Sequence, residues 1–322
     1  MKDALVAFGM GGPDSIDSIK PFLVNMLNDR EIINFGVGKT LQKLIVRGIA
    51  SDRAKVTAPF YEKMGGGSPQ LRLTEAFLKK LSVKYAEKTG FILDTYPAMC
   101  YWHPFVKDTL IKLSEQTRSR GYRKIILFPM YPQYSRATTG VCFSHFRKAL
   151  AHKPPYAPLV KIYDYHLHPP YLDVLAERIR AAALKMGEEI SGIHILFSAH
   201  SLPQSVIDDG DPYAEQIQEQ SLRLAEIVKP KSFSIAYQSK FGRKKWLTPS
   251  VNEELVSLAG GGIKNVVLSA VSFINDHIET LIELDEELIG KGGKMGLNII
   301  RAETPNDADD FAAAMADLLS GI

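Results

Sequence analysis

Cysteine is scarce. Only Cys100 and Cys142 occur in 322 residues, with no CxxC pair and no metal-ligand spacing. That pattern argues against an iron–sulfur cluster, a zinc finger and a disulfide framework, and fits a reducing cytosol. Charge of one sign is equally thin, at a formal +3 over the whole chain. The nearest thing to a basic block, Arg243-Lys-Lys245, reads as a solvated loop, so nucleic acid is not an expected partner. No apolar run approaches the ~18 residues of a membrane span. The segment Met1–Gly9 lacks the apolar core of a signal peptide and runs straight into a strand pattern. Nucleotide motifs are missing too. Gly9-Met-Gly-Gly-Pro-Asp14 does not have GxGxxG spacing, and Gly36-Val-Gly-Lys-Thr40 has Ile33 where a P-loop requires glycine. The expectation is a soluble protein of a reducing cytosol, at most membrane-associated.

What is present is ordinary for a globular chain: 45% apolar and 23% charged residues. At ~150 residues per domain the length suggests about two domains. Short apolar runs at 4–8, 91–96, 124–130 and 159–163 read as buried strands, and so do those at 193–198, 233–237, 265–271 and 297–301. Helical patterns separate them. Four strands plus helices, twice over, predict an α/β protein of two Rossmann-like, doubly wound parallel halves, 1–166 and 167–322.

Three places carry candidate chemistry. Ile193–Phe197 is a buried strand that stops at Ser198 and Ala199 and then offers His200 at its carboxyl end, where ligands bind in open α/β sheets. Asn275-Asp-His-Ile-Glu279 follows a later strand. There Asp276 and Glu279 have the spacing of a helix capping box, yet Glu279, Glu283 and Glu286 or Glu287 load one helical face with acid. Like charges so spaced cost ~0.2–0.5 kcal/mol per pair in a bare helix, so a cation or a proton load is expected to offset them. Imidazole and carboxylate together suit Fe²⁺ or proton removal near neutral pH. Third, residues 40–50 are a basic amphipathic helix. Leu41, Leu44, Ile45 and Ile49 share one face, and Lys39, Lys43 and Arg47 another. Such a helix covers a core, lies on an anionic membrane or lines an apolar mouth. His166 and His168, at i, i+2 in a proline-flanked connection, are expected to be solvated rather than to bind metal. Tyr131–Gly140 reads as a polar, aromatic loop.

Several stretches together resemble the ferrochelatases, which insert Fe²⁺ into a porphyrin. They are Met10-Gly-Gly-Pro13, Gly65-Gly-Gly-Ser-Pro69, His103-Pro104, Tyr131-Pro-Gln-Tyr-Ser135 with Thr138-Thr-Gly140, and Ser198-Ala-His-Ser-Leu-Pro203. Tyr237-Gln-Ser-Lys240 with Trp246-Leu-Thr-Pro249, and Asp276-His-Ile-Glu-Thr-Leu281, complete the set. The resemblance implies two Rossmann-like halves enclosing a porphyrin cleft, with His200 and Glu279 binding the metal and accepting pyrrole protons. His277 would accompany Glu279, and Glu283 would continue a metal or proton path. Met10 and Tyr101 match positions that contact the macrocycle, and Arg53, Tyr61 and Ser68 match positions around the propionates and cleft wall. Residues 39–50 would form the cleft lip, with a peripheral membrane contact.

The resemblance implies protoporphyrin IX and Fe²⁺ as substrates and no tightly bound cofactor. Relatives with a [2Fe–2S] cluster carry extra C-terminal cysteines that this sequence lacks. Two departures stand out. Cys100 occupies a position where many relatives have arginine. Met10 stands where relatives acting on coproporphyrin III often have tyrosine, which favours protoporphyrin IX. Coproporphyrin III remains the alternative substrate, cobalt loading of another tetrapyrrole a more distant one. A haem or porphyrin carrier without catalysis is the alternative of a different class.

Overall fold

The computed structural model describes Met1 to Ile322 apart from Asn34, His152, Lys153, Phe241 and Arg243, and apart from the side chains of residues 118–120. The basic triplet beginning at Arg243 therefore lies partly outside the described residues.

The chain divides into two compact units. Unit 1 comprises Met1–Tyr131, Ser135–Tyr163 and Ala316–Ile322; unit 2 comprises Pro132–Tyr134 and Asp164–Met315. Unit 1 holds strands β1 (Lys2–Gly9), β2 (Ile92–Met99), β3 (Tyr122–Pro129) and β4 (Leu159–Lys161). Its helices are α1 (Ile19–Asn28), α2 (Lys39–Lys63), α3 (Gln70–Thr89), α4 (Val106–Arg120) and α5 (Val141–Leu150). Unit 2 holds β5 (His194–His200), β6 (Ser232–Gln238), β7 (Asn265–Ala270) and β8 (Asn298–Arg301). Around them lie α6 (Pro169–Lys185), α7 (Gln204–Asp208), α8 (Tyr213–Val228), α9 (Val251–Gly260) and α10 (Ile289–Lys294). The last helix, α11 (Asp309–Ser320), runs across the division of the chain.

Both sheets are parallel throughout and have the same strand order: β2-β1-β3-β4 in unit 1 and β6-β5-β7-β8 in unit 2. The central strands are buried on both faces, as a parallel sheet covered by helices requires. Ala4–Phe8 and Ile195–Phe197 have no exposed surface. Successive connections leave β1 and β5 toward opposite sides, so each sheet has a topological switch point beside its first strand, and ligands bind at such points.

Helices depart from the sequence expectation more than strands do. α1 is an amphipathic helix that the pattern reading passed over. α2 runs on to Lys63, through Pro59 and past both Arg53 and Tyr61. Proline costs one backbone bond without ending this helix, which stops only where Gly65 and Gly66 take positive φ. Its buried face is Gln42, Val46 and Ala50, while Leu41, Leu44 and Ile45 are 50%, 61% and 36% exposed. The apolar stripe read from the sequence thus faces outward. α3 begins at Gln70, directly after Pro69. The Tyr131–Gly140 loop ends in a π-helical turn, Arg136–Gly140, which Ser135 caps by accepting the Ala137 N–H.

Candidate functional site

Unit 2 places its chemistry at the switch point. β5 ends on His200, whose backbone N–H donates to Ser272 Oγ (3.1 Å) and whose carbonyl accepts from Tyr213 Oη (2.9 Å). Its Nδ1 lies 2.6 Å from the Ser201 carbonyl. A carbonyl can only accept, so Nδ1 carries the hydrogen and, in the neutral ring, Nε2 keeps its lone pair. That Nε2 is 3.7 Å from Glu279 Oε2.

Glu279 opens a π-helix, Glu279–Leu288, after β7. The expected capping box does not form there. Asp276 instead faces Arg301 (3.2 Å) and accepts from Thr280 (2.9 Å) and Asn306 (2.7 Å). Glu279 is therefore turned toward His200 and toward Ser239 Oγ (3.1 Å). A capping box does form one helix earlier. Ser250 accepts from Glu253 N–H (3.3 Å), and the Glu253 carboxylate accepts from Ser250 N–H (2.6 Å), at the start of α9.

Ser239, just beyond β6, ties the acidic face together. Its N–H donates to Glu283 Oε1 (2.8 Å), and its hydroxyl contacts Glu283 Oε2 (2.5 Å) as well as Glu279. It holds φ +63°, a left-handed conformation uncommon for serine. One hydroxyl hydrogen cannot serve two carboxylates, so one of these two contacts requires a proton on a carboxyl group. Burial, with the Glu279 charge adding to it, pushes the Glu283 carboxyl up, so Glu283 is the group suited to hold that proton. The serine lies inside the Tyr237–Lys240 motif, but nothing in the sequence marked it as the bridge. Glu286 and Glu287 are exposed and leave this cluster. A π-helix closes its turns with i→i+5 bonds, which breaks the α-helical register that put all the acids on one face.

His277 sits against Glu279, with Nε2 4.0 Å from Oε1. Its Nδ1 faces the Asn275 carbonyl (3.1 Å) and its ring packs edge-on against Phe273. Burial lowers its pKa, outweighing the attraction of Glu279, so it is held neutral. Among the described residues, no group of three or more His, Cys, Asp and Glu is arranged to hold a metal ion.

Unit 1 groups Met10, Tyr101 and Ser68. Met10 follows β1; its N–H donates to Tyr131 Oη (2.7 Å), and its carbonyl accepts the Tyr101 N–H (3.0 Å). Two glycine-bearing loops interlock beside it. A Cβ on Gly12 would come within 2.8 Å of the Ser68 side chain, and one on Gly67 within 2.5 Å of the Asp14 carbonyl. Only glycine fits either crossing. Tyr101 is buried and donates to Asp29 (2.9 Å), which also faces His145 Nε2 (2.8 Å). Burial alone would raise Asp29, but His145, the Glu31 N–H and Tyr101 together hold it down to about 2. Burial and the Asp29 charge push Tyr101 up. Arg53 and Tyr61 are carried separately on α2. Burial lowers the Arg53 guanidinium, and Tyr61 is buried.

His166 is not solvated. It is buried, with Nδ1 3.0 Å from Asp164 and Nε2 3.1 Å from Glu219 of α8. His168 Nε2 donates to the Ala314 carbonyl (3.1 Å).

The family model for ferrochelatase matches residues 2–321. The chain belongs to the ferrochelatase family. Membership carries metal insertion into a porphyrin, a lyase reaction of haem biosynthesis. Among curated ferrochelatases, that of Aquifex aeolicus is 36% identical over 99% of both chains, and that of Geobacter metallireducens 39% identical over 99% of this chain and 98% of its own. Two solved structures resemble this ferrochelatase in fold. SirB from Bacillus subtilis with Fe³⁺ superposes with a TM-score of 0.58 at 10% identity, over 99% of this chain and 95% of SirB. CbiX, the terminal enzyme for siroheme biosynthesis in denitrifying bacteria, gives 0.52 at 11%, over 100% and 99%.

Proposed function

We propose that this ferrochelatase inserts Fe²⁺ into protoporphyrin IX, with His200 and Glu279 as the metal-holding and proton-accepting pair. The observation that carries the reading is the His200 Nε2 to Glu279 Oε2 approach of 3.7 Å at the switch point of the unit 2 sheet. A free-base porphyrin has two N–H protons in the cavity the metal must enter. Insertion therefore needs bases for those protons and ligands that let the iron go. A neutral imidazole and a carboxylate bind Fe²⁺ without the grip of thiolates. With Nδ1–H fixed on the Ser201 carbonyl, Nε2 is the basic atom, and protonating it removes it as a ligand, so activity falls as the imidazole protonates.

The Ser239 bridge gives protons a way out. Once Glu283 has given up the proton it holds, the Ser239 hydroxyl accepts a proton from Glu279 and donates its own hydrogen to Glu283, whose burial favours the protonated form. His277, held neutral, packs against Glu279 and keeps its carboxylate in place. Met10 and Tyr101 contact the macrocycle, and Arg53, Tyr61 and Ser68 lie around the propionates and the cleft wall. Met10 rather than tyrosine favours protoporphyrin IX. The exposed stripe Leu41, Leu44 and Ile45, flanked by Lys39, Lys43 and Arg47, supports contact with an anionic membrane through 39–50. In the described residues no helix is long and apolar enough to cross a membrane.

The test is anaerobic Fe²⁺ insertion followed by absorbance, with protoporphyrin IX and coproporphyrin III offered separately. Turnover favouring protoporphyrin IX is expected, with His200→Ala and Glu279→Gln each abolishing insertion and sparing porphyrin binding. A preference for coproporphyrin III would overturn the Met10 argument. Unchanged turnover in either variant would overturn the residue assignment, and porphyrin binding without insertion would favour the carrier.

A further inference from the structure

The two scarce cysteines lie side by side. Cys100 follows β2, Cys142 stands near the start of α5, and 42 positions separate them in sequence. Both are free thiols, with their Sγ atoms 3.1 Å apart. Disulfide sulfurs sit ~2.05 Å apart, so closure asks for a movement of roughly 1 Å. The two thiols are not equivalent. Cys142 is 1% exposed, and burial pushes its thiol up. Cys100 borders a cavity of about 380 Å³ that is also lined by Phe105, Lys107, His145 and Lys148. Both cysteines are buried, Cys100 at 6% exposure, and Cys100 is the one that borders the cavity through which a small oxidant would arrive. In a reducing compartment such a pair is reduced at rest, and disulfides there are transient and redox-sensing.

We propose that Cys100 and Cys142 form a reversible regulatory disulfide, closed by hydrogen peroxide and opened by a dithiol. The Cys100 sulfur attacks the peroxide O–O bond, becoming a sulfenic acid and releasing water. The Cys142 sulfur then attacks the Cys100 sulfur and displaces hydroxide, which takes the Cys142 proton and leaves as a second water. Two thiols lose two electrons and two hydrogens, and the peroxide becomes two waters. A dithiol reverses the change by thiol–disulfide exchange.

The bond would act on the strip that holds the Met10 loop. Cys100 N–H donates to the Gly9 carbonyl (2.9 Å), and Tyr101 N–H to the Met10 carbonyl (3.0 Å). Drawing Cys100 toward α5 strains both. This effect on porphyrin binding rests on the reading that Met10 and Tyr101 touch the macrocycle.

The experiment treats the reduced full-length protein with a few equivalents of hydrogen peroxide and then counts thiols with maleimide after denaturation. Expected is the joint loss of both thiols, an intact mass lighter by two hydrogens, a peptide linking Cys100 to Cys142, and full recovery with dithiothreitol. Cys142→Ser should instead leave Cys100 as a sulfenic acid that reacts with dimedone. Two thiols still labelled, cross-linked dimers, or oxidation that dithiothreitol cannot reverse would each overturn the disulfide. Protoporphyrin IX binding, read by fluorescence, should weaken several-fold in the oxidised protein and not in Cys142→Ser treated alike. Unaltered binding after a proven disulfide would overturn its regulatory role. Failure of the reduced protein to insert iron would instead count against the proposed function and leave the thiol chemistry standing.

Discussion

Replacing Ser239 is the sharpest probe of the acidic cluster. Ser239→Ala deletes the hydroxyl between Glu279 (3.1 Å) and Glu283 (2.5 Å), while the backbone N–H still reaches Glu283 (2.8 Å). A hydrogen bond to a charged group is worth ~1.5–3 kcal/mol. If that support acts in the transition state, each 1.4 kcal/mol is about tenfold in rate, and kcat should fall by about 10- to 100-fold. The Ser239 side-chain hydrogen bond helps to hold Glu283 down against burial, so its loss raises Glu283 further. The pH range in which Glu283 stays protonated then extends upward, and the acid limb of the rate profile moves to higher pH. Ser239→Gly separates this from strain. Glycine relieves the cost of φ +63° while also lacking the hydroxyl, so both variants should lose activity alike, with KM for porphyrin little changed. A kcat within twofold of the parent in Ser239→Ala, or full activity in Ser239→Gly alone, would refute the relay.

Two further outcomes are expected. Asp29 is held near 2 against an ordinary 3.8, and a shift of that size is worth ~2 kcal/mol. A depressed carboxyl stabilises above its unfolded value and loses that contribution as pH falls toward 2. Asp29→Asn should therefore lower stability by about 2 kcal/mol at pH 7 and by little near pH 2, as calorimetry at several pH values would show; an equal penalty at every pH would exclude the charge. Leu41→Ser with Leu44→Ser should reduce sedimentation with anionic phospholipid vesicles several-fold without changing iron insertion in detergent. Equal sedimentation would remove the membrane role of this stripe.

The parallel sheets were legible because buried strands read as short apolar runs, and the residue ending such a run, His200, is placed by that alone. What brings distant side chains together was not. Ser239 reaches Glu279 and Glu283 from another strand in a left-handed conformation, and neither its partners nor its φ is written in local spacing. His166 looked solvated among prolines because Glu219, which closes over it, lies 53 positions away on α8. Asp276 and Glu279 had correct capping-box spacing, but Arg301 and Asn306 compete for the aspartate from beyond the helix. Stripe 41–45 had a clear apolar period, and periodicity does not say whether such a face turns to a core or away from it.

The π-helix Glu279–Leu288 makes the winding of the chain a functional parameter. Leu284 and Leu288 are anchored in a core cluster with Leu255, Val266 and Leu297, while Glu279 at the other end meets His200. Between them the segment holds more residues per turn than an α-helix does. Were the same residues to wind as an α-helix with the leucines still anchored, one residue more than a turn would lie between Glu279 and Leu284. Each residue of an α-helix turns the chain by about 100°, so the carboxylate would swing away from the imidazole by roughly a quarter turn. A change that rewinds the segment, rather than one at His200 or Glu279, would then disable the pair without altering either residue.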